Sequence, residues 1–320
     1  MIIKILDKEF QNKMTLQTER LILRHWEASD AEDMFRYAQD PDIGPIAGWP
    51  AHKDIDESRR VIANVVNGKE AYAICLKEDN KAIGCIELRF GDKTDLAEGD
   101  DECELGYWLG KPFWGRGIMP EAANEMIRHA FEDLGCSKVW CGYYDGNMKS
   151  KRVQEKLGFK YQWRSEDVDV PLMHEKRVGH VNLMTREDWL KSKRIIAACG
   201  NDCTACPRYN KPPYVKTDEE LRHTAELWMK IGYRDHVVTN EEISCYGCKP
   251  ENWCRYKVVK CTIEHGVENC GKCPEYPCEN IRECFEVTKS FEPMCAKMCT
   301  KEEYIQLKKA FFEKDENLKI

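Results

Sequence analysis

Glu104-Leu-Gly-Tyr-Trp-Leu-Gly-Lys-Pro-Phe-Trp-Gly-Arg-Gly-Ile-Met-Pro-Glu-Ala122 decides how the first half of this chain is read. Its opening alternates with a period of two, Glu104, Gly106 and Trp108 against Leu105, Tyr107 and Leu109, as a strand does. Pro112 closes that strand. Gly115 and Gly117 then make a tight turn before a helical pattern, with Pro120 early in the helix, where a missing N–H is harmless. Such a turn leaves several backbone N–H groups pointing into one concavity at the positive end of the helix dipole, a site suited to an anion. No Lys-Ser/Thr follows the glycines, so this is not a nucleotide P-loop. The dinucleotide fingerprint requires a third glycine that is missing here. Taken alone, the glycines are a weak signal, because a structural strand-to-helix turn is the commoner reason for them.

Working outward, Arg20-Leu-Ile-Leu-Arg24 alternates charged and apolar residues as a first strand. Ser29 followed by Glu32 has the form of a capping box and predicts a helix to about Gln39. Asp54 to Val66 reads as a second helix with Ile55, Ser58, Ile62 and Val65/Val66 on one face. Ala71–Leu76 and Ala82–Phe90 read as strands joined at Glu78-Asp-Asn-Lys81, and an acidic loop runs from Asp92 to Asp101. After the glycine turn, Met119, Ala123, Met126/Ile127, Ala130 and Leu134 form the apolar stripe of a helix that Gly135 ends. Lys138 to Tyr144 is the next strand. Asp145 to Ser150 turns into a short helix that stops at Gly158, and Phe159 starts another strand. His174 to Met184 is the last strand, with Thr185 capping a helix from Arg186 to about Lys191. This order predicts an α/β mixed sheet with flanking helices and at least one parallel strand pair.

The 320 residues suggest two domains, and the cysteines place the boundary. Five of the 18 (Cys75, Cys85, Cys103, Cys136, Cys141) are scattered through the first 193 residues, while 13 crowd between Cys199 and Cys299. The expected organisation is an extension over 1–13, an α/β domain over 14–193 and a cysteine-rich domain over 194–320. A net charge of −7 argues against a basic nucleic-acid-binding face. There is no run of ~18 apolar residues to span a membrane, and the first ten residues are too charged for a signal peptide. A cytoplasmic protein with reduced thiols is expected; the oligomeric state stays open.

Four stretches, in this order, resemble the GNAT superfamily of acetyl-CoA-dependent acyltransferases, most of all its ribosomal-protein N-terminal acetyltransferase type. They are Thr18-Glu-Arg-Leu-Ile-Leu-Arg24, Glu104-Leu-Gly-Tyr-Trp-Leu109, Trp114-Gly-Arg-Gly-Ile-Met-Pro-Glu-Ala122, and Asn147-Met-Lys-Ser150 leading to Val153-Gln-Glu-Lys-Leu-Gly-Phe159. The resemblance implies a GNAT-type fold in which two parallel strands splay. Backbone groups of Trp108 and Leu109 would hold the pantetheine arm of acetyl-CoA. The N–H groups of Trp114, Gly115, Arg116, Gly117, Ile118 and Met119 would hold its diphosphate, and Asn147 would contact the cofactor. Trp114 and Met119 depart from the commoner superfamily residues, which a grip through backbone amides tolerates. Acetyl transfer to an amine needs a neutral amine, an oxyanion donor and a proton for the thiolate. Glu104 is the candidate general base, with Glu102 as its rival; a solvated strand residue is the alternative reading. Ser150 matches the family position that protonates the thiolate and equally fits an N-cap. Tyr144 is a second candidate acid. The five cysteines of this domain have no base partner in sequence and read as packing residues.

The second half spaces its cysteines as Cys199-x3-Cys203-x2-Cys206, Cys245-x2-Cys248, Cys254, Cys261, Cys270-x2-Cys273-x4-Cys278, Cys284 and Cys295-x3-Cys299. Paired thiolates two apart can turn onto one tetrahedral ion, which makes zinc the default occupant and an Fe–S cluster the runner-up. Cys199, Cys203, Cys206, Cys245, Cys248, Cys261, Cys270, Cys273 and Cys278 are the candidate metal ligands. Disulfides are disfavoured by compartment and by the odd count. The run Cys199-x3-Cys203-x2-Cys206 also matches radical S-adenosylmethionine enzymes, but too little chain follows for their βα scaffold. Cys199-Gly-Asn-Asp-Cys-Thr-Ala-Cys-Pro207 and Cys270-Gly-Lys-Cys-Pro-Glu-Tyr-Pro-Cys278 resemble a family of small cysteine-rich, zinc-binding domains without an assigned function, over roughly 197–285. Helices are expected over Thr217–Ile231 and Lys301–Leu318, and His223, His236 and His265 read as exposed.

The expected function is N-acetylation of a primary amine, on a protein N-terminus or a small molecule, with a structural or regulatory metal in the second domain. The alternative is a metal- or redox-responsive binding protein that uses the acyltransferase fold as a ligand module. Trp49 and His52 fall in one of the loops expected to meet the acceptor.

Overall fold

The structure, a computed structural model, describes residues 14–252 and 254–319. The extension expected over 1–13 lies outside the described residues. The chain divides into two units between Ser192 and Lys193.

In the first unit the period-two stretches pair into one sheet. Its strands are β1 (Leu16–Gln17), β2 (Leu21–His25), β3 (Ala71–Leu76), β4 (Ala82–Arg89), β5 (Glu102–Leu109), β6 (Lys138–Tyr144), β7 (Lys160–Val170) and β8 (Glu175–Thr185). Their spatial order is β1-β2-β3-β4-β5-β6-β8-β7. Neighbours run antiparallel except β5 and β6, which are parallel. Between those two strands the chain must cross over, and the helix after the glycine turn is that crossover. β7 is the rim strand, mostly exposed, and its register against β8 is irregular at two places, Tyr161/Trp163 and Ser165/Val168.

The helices are α1 (Ala31–Ala38), α2 (Gly44–Ala47), α3 (Ile55–Asn64), α4 (Ile118–Arg128), α5 (Met148–Leu157) and α6 (Arg186–Ser192). On one sheet face Met34 of α1 and Ile62 of α3 pack with Trp26, Ala73 and Cys85. On the other, Met119, Ala123, Met126 and Ile127 of α4 pack with Ile74, Ile86 and Leu105. Burying each such aliphatic side chain contributes roughly 1.5–3 kcal/mol. The five cysteines of this unit are all buried. Cys141 donates to the Leu105 carbonyl at 3.2 Å, and Cys103 and Cys136 hydrogen-bond to each other.

Several local expectations shift. Ser29 does not cap α1; a short 3-10 turn at Ala28–Asp30 precedes it, closed by a capping box between Glu27 and Asp30. Arg24 holds Asp30 through two 2.8 Å bonds, a pairing that the capping pattern does not show. Val66 is buried, but Val65 is 61% exposed. α4 stops at Arg128 and continues as a π-helical turn, His129–Asp133. There His129 is fully buried, with Nε2 at 2.9 Å from Glu70 and Nδ1 at 2.8 Å from Asp133. The wider turn fits a ring held from both ends.

The second unit is helical: α7 (Asp218–Lys230), α8 (Asn240–Ile243), α9 (Val258–Glu264), α10 (Glu279–Lys289), α11 (Glu292–Met298), α12 (Lys301–Leu307) and α13 (Lys314–Asn317). Thr217 and Glu220 form a capping box at the start of α7, which buries Leu221, Ala225, Leu227 and Trp228. The single helix expected from Lys301 to Leu318 is broken by a π-helical turn at Lys308–Phe312 and by Glu313. The break turns Lys314 inward, where it is only 6% exposed.

Candidate active site

The parallel contact between β5 and β6 is short. Glu102 pairs with Lys138, Cys103 with Val139 and Glu104 with Trp140, and there the pairing ends. Beyond it β5 stays bonded to β4 as far as Gly84↔Leu109, while β6 follows β8 to Tyr144↔Gly179. The two strands therefore splay from Glu104 onward. Leu105 to Leu109 line the gap without ladder pairing to β6; along them the Leu105 carbonyl accepts from the Cys141 thiol of β6 and the Leu109 carbonyl from the Trp114 indole.

At the open end of β5 the chain enters the glycine turn. Gly115 and Gly117 hold φ of +74° and +75°, a conformation that costs a residue with a side chain roughly 1–2 kcal/mol. A Cβ at Gly115 would meet nothing within 4 Å, so the hollow over the turn is open. Gly117 is the N-cap of α4 and offers no side chain, so the first turn of the helix has no side-chain cap. Trp114 differs from the others in the run. Its N–H is bonded to the Lys111 carbonyl and its indole N–H donates to the Leu109 carbonyl at 2.8 Å. Its ring lies 4.2 Å from the Lys149 ammonium. Arg20 buttresses the turn, donating to the Arg116 carbonyl at 3.1 Å and to Glu121 at 2.7 Å.

Glu104 sits where the splay begins. Thr94 donates to its Oε2 at 2.7 Å, and Arg89 lies 3.7 Å from its Oε1. Burial raises its pKa and outweighs Arg89 and Thr94, which pull the other way. Arg89 is shared with Glu87, 2.5 Å away, which weakens its hold on Glu104. Glu102 is in a different position. Lys138 and the Trp140 indole donate to its two oxygens at 2.7 and 2.6 Å. Burial acts to raise its pKa, but these bonds prevail and hold it below the ordinary value. Both of its oxygens are already engaged.

The Glu104 face of β5 also presents Trp108. Its ring stacks on Trp26 at 6.4 Å and meets Trp49 edge-on at 6.0 Å, with His52 5.4 Å beyond Trp49. His52 is buried against the Ser58 hydroxyl at 2.8 Å, and burial lowers its pKa, which favours the neutral ring. Tyr144 lies under the Arg177 guanidinium, 5.2 Å away, and beside Gly48.

On the opposite face, Asn147 is the N-cap of α5, accepting from the Ser150 N–H at 3.1 Å. Ser150 is therefore not the cap; it stands in the first turn with its hydroxyl free for other partners. Two residues that the sequence reading did not single out supply them. The Tyr107 hydroxyl lies 3.0 Å from Ser150 Oγ, and Gln154 Nε2 donates to the same oxygen at 3.0 Å. Nothing in the local sequence marks Tyr107 as more than an apolar-face strand residue.

In the second unit the thiols gather without converging. Cys261, Cys270, Cys273, Cys278 and His265 line one hollow of about 20 Å³. Cys203 and Cys206 pack with Tyr209 and Ala310, and a bridge joins Tyr209 to Cys245. Burial, then neighbouring thiols, pushes Cys270 up to about 12. Among the described residues no group of three or more His, Cys, Asp or Glu side chains is placed to hold a metal ion. The buried Lys314 ammonium donates to Cys284 at 3.6 Å and Cys199 at 3.8 Å, which brings a cysteine outside the candidate ligand set to one inside it.

The family profile described as "Acetyltransferase (GNAT) domain" matches residues 20–160. That described as "Protein of unknown function (DUF3795)" matches residues 195–283. The "Putative ribosomal N-acetyltransferase YdaF" of Bacillus subtilis is 34% identical over 134 residues, 42% of this chain and 68% of that protein. The "Uncharacterized N-acetyltransferase p20" of Bacillus licheniformis is 26% identical over 160 residues, 48% of this chain and 87% of that protein. Among solved structures, a GNAT-family acetyltransferase from Bacillus anthracis superposes with a TM-score of 0.49 at 20% identity, covering 54% of this chain and 99% of that one.

Proposed function

We propose, for a chain that belongs to the acetyltransferase (GNAT) family and is an N-acetyltransferase, that its first unit transfers the acetyl group of acetyl-CoA to a primary amine, with Glu104 as general base and Ser150 as proton donor. The observation that carries this reading is the end of β5–β6 pairing at Glu104↔Trp140, directly upstream of the glycine turn. The open strand edge suits an amide-bearing arm laid along it. The N–H groups of Gly115 to Met119, at the start of a helix without a side-chain cap, suit a diphosphate, and Asn147 borders the same end of the gap. Trp114, whose two N–H groups are engaged, supports the turn through its ring and leaves the anion to its neighbours.

Acetyl-CoA, when bound, supplies an activated thioester. Every other part of the reaction falls to this chain. Glu104 accepts the proton of the attacking amine, and its raised pKa suits that task near neutrality, because an α-amine titrates near 7.7–8.0. Ser150 gives its hydroxyl proton to the sulfur as the C–S bond breaks. Trp108, Trp49 and Trp26 form the apolar wall on the acceptor side of the sheet, where a peptide N-terminus or a small amine would lie. Calorimetry with acetyl-CoA tests the cofactor: binding at micromolar to millimolar concentration is expected, and none at millimolar would defeat the reading. A screen of peptide and small-amine pools, followed by release of the CoA thiol, tests the transfer.

For the second unit we propose structural metal–thiolate binding through the candidate cysteines, zinc before an Fe–S cluster. Their spacing and the hollow lined by Cys261, Cys270, Cys273 and Cys278 support it. As placed, the thiols do not fit an ion, so binding would have to draw them together and release their protons. Metal content of the reduced chain, with and without chelator, decides this; a metal-free protein of unchanged stability would refute it.

A further inference from the structure

Tyr107 lies on β5 three residues beyond Glu104, and strand alternation turns it to the opposite face, beside α4 and α5. Its hydroxyl reaches across the splay to Ser150 Oγ at 3.0 Å and lies 3.4 Å from the Ser150 carbonyl. From the next turn of α5, Gln154 donates through Nε2 to Ser150 Oγ at 3.0 Å and to the Gly142 carbonyl at 3.3 Å. Asn182 Nδ2 donates to Gln154 Oε1 at 2.6 Å, and the Gly142 carbonyl, which can only accept, assigns the amide: nitrogen toward Gly142 and Ser150, oxygen toward Asn182. Gln154 is 1% exposed and Asn182 7%, so water does not compete for these bonds. Burial raises the Tyr107 pKa well above that of a free phenol, so the ring keeps its one hydrogen.

A serine hydroxyl accepts two hydrogen bonds and donates one. Gln154 takes one acceptor position; either hydroxyl can donate in the Tyr107–Ser150 contact, and Tyr107 fills the other position when its hydrogen turns to Oγ, 3.0 Å away, rather than to the Ser150 carbonyl at 3.4 Å. With both filled, the Ser150 hydrogen has no partner among them and points elsewhere. We propose that Tyr107 and Gln154 are positioning residues that fill the acceptor sites of Ser150 Oγ and leave its hydrogen directed into the gap between β5 and β6, toward the departing sulfur. This inference rests on the reading of Ser150 as proton donor. In the step, the C–S bond breaks and its electron pair goes to sulfur. The Ser150 O–H proton goes to that sulfur, and the resulting serine oxyanion is held by the same two donors until the proton that Glu104 took from the amine returns to it through water. A preorganised pair of donors aimed at a developing oxyanion acts without reorganisation at the moment of reaction.

The test compares Tyr107→Phe, Gln154→Met, Ser150→Ala and the Tyr107→Phe/Ser150→Ala double variant in the full chain. The readout is release of the CoA thiol from acetyl-CoA with a mixed pool of dipeptides and aliphatic diamines, together with calorimetric binding of acetyl-CoA. Tyr107→Phe is expected to lower kcat about tenfold, part of the ~100- to 10,000-fold that acid–base catalysis supplies. KM for acetyl-CoA is expected to stay within about twofold, because the diphosphate donors lie on another loop. The double variant is expected to be no slower than Ser150→Ala alone. If Ser150→Ala is slow but Tyr107→Phe is neutral, raises only KM, or multiplies the Ser150→Ala defect, the positioning role is overturned while Ser150 stands. If Ser150→Ala is as fast as the parent, the proton-donor reading falls and this inference falls with it. Gln154→Met, similar in volume, repeats the comparison should Tyr107→Phe fail to fold.

Discussion

Replacing Glu104 by Gln keeps the size of the side chain and removes the group that would take a proton from the amine. The carboxylate lies at the last β5–β6 register pair, away from the glycine turn, so acetyl-CoA should bind the variant as it binds the parent. A positioned general base contributes ~100- to 10,000-fold in rate, and at ~1.36 kcal/mol per decade that is roughly 2.7–5.4 kcal/mol of barrier. The signature is the pH profile of kcat/KM. Because burial raises the Glu104 pKa, the parent should lose activity on the acid side at a pH above the ordinary carboxylate range. That limb should vanish in Glu104→Gln, and the deficit should narrow at high pH, where the acceptor is already neutral. Thr94→Val sharpens the argument. The threonine hydroxyl donates to the ionised carboxylate at 2.7 Å, a charge-assisted bond of roughly 1.5–3 kcal/mol, and its loss disfavours the charged form. The acid limb should therefore move to higher pH. A Glu104→Gln enzyme within about threefold of the parent, with its acid limb intact, would refute the assignment.

Three further outcomes follow from the same geometry. Gly117→Val forces a branched side chain into φ +75° at the head of α4, and should weaken acetyl-CoA binding by calorimetry about 5- to 30-fold, from roughly 1–2 kcal/mol of backbone strain. An unchanged affinity would remove the turn from the binding site. Asn147→Ala deletes the cap of α5, worth ~1 kcal/mol and about 2–4 °C in Tm by calorimetric scan, and should also lower kcat by loosening Ser150. Loss of kcat with no change in Tm would separate its role from capping. Burial, the largest effect on His129, lowers its pKa, but bonds from Glu70 and Asp133 raise it above the usual ~6.5. The stability it adds is full below that value and is lost as pH rises through the raised one, so urea midpoints should fall with pH in the parent and less in His129→Leu. That variant should also lose roughly 2–3 kcal/mol at pH 6, less than for a wholly buried pair because Asp133 is 37% exposed. A parallel pH dependence in both proteins would exclude His129 as the titrating group.

Much of the first unit was legible because its signals are local. The alternation at Glu104–Leu109, the apolar stripe from Met119 to Ala130 and the glycine stops at Gly135 and Gly158 each depend on neighbours within a few residues. The need for a crossover helix implied the parallel pair. What was not legible depends on contacts that the local patterns do not encode. β8 inserts between β6 and β7, which no property of β7 announces. Ser29 matches a capping pattern, yet Arg24 fixes Asp30 and moves the box upstream. Tyr107 meets Ser150 only across the splay, 43 positions away, and reads in sequence as one more apolar-face residue. In the second unit, cysteine spacing gives neighbours along the chain and not around a point, so it does not foretell the Lys314 contact with Cys199 and Cys284.

The outer strand of the sheet has a bearing on how the molecule behaves at high concentration. A strand on a sheet's rim normally offers a row of unused main-chain groups to any other polypeptide that is extended. β7 offers an interrupted one: two register breaks within eleven residues change the repeat that an incoming strand would have to match. Lys160, Arg164, Glu166, Asp167 and Asp169, all exposed, place charges of both signs along it. A stranger would meet mismatched spacing and fixed charges together. Straightening the rim, by deleting one residue at each break and neutralising the charges, should promote fibril formation.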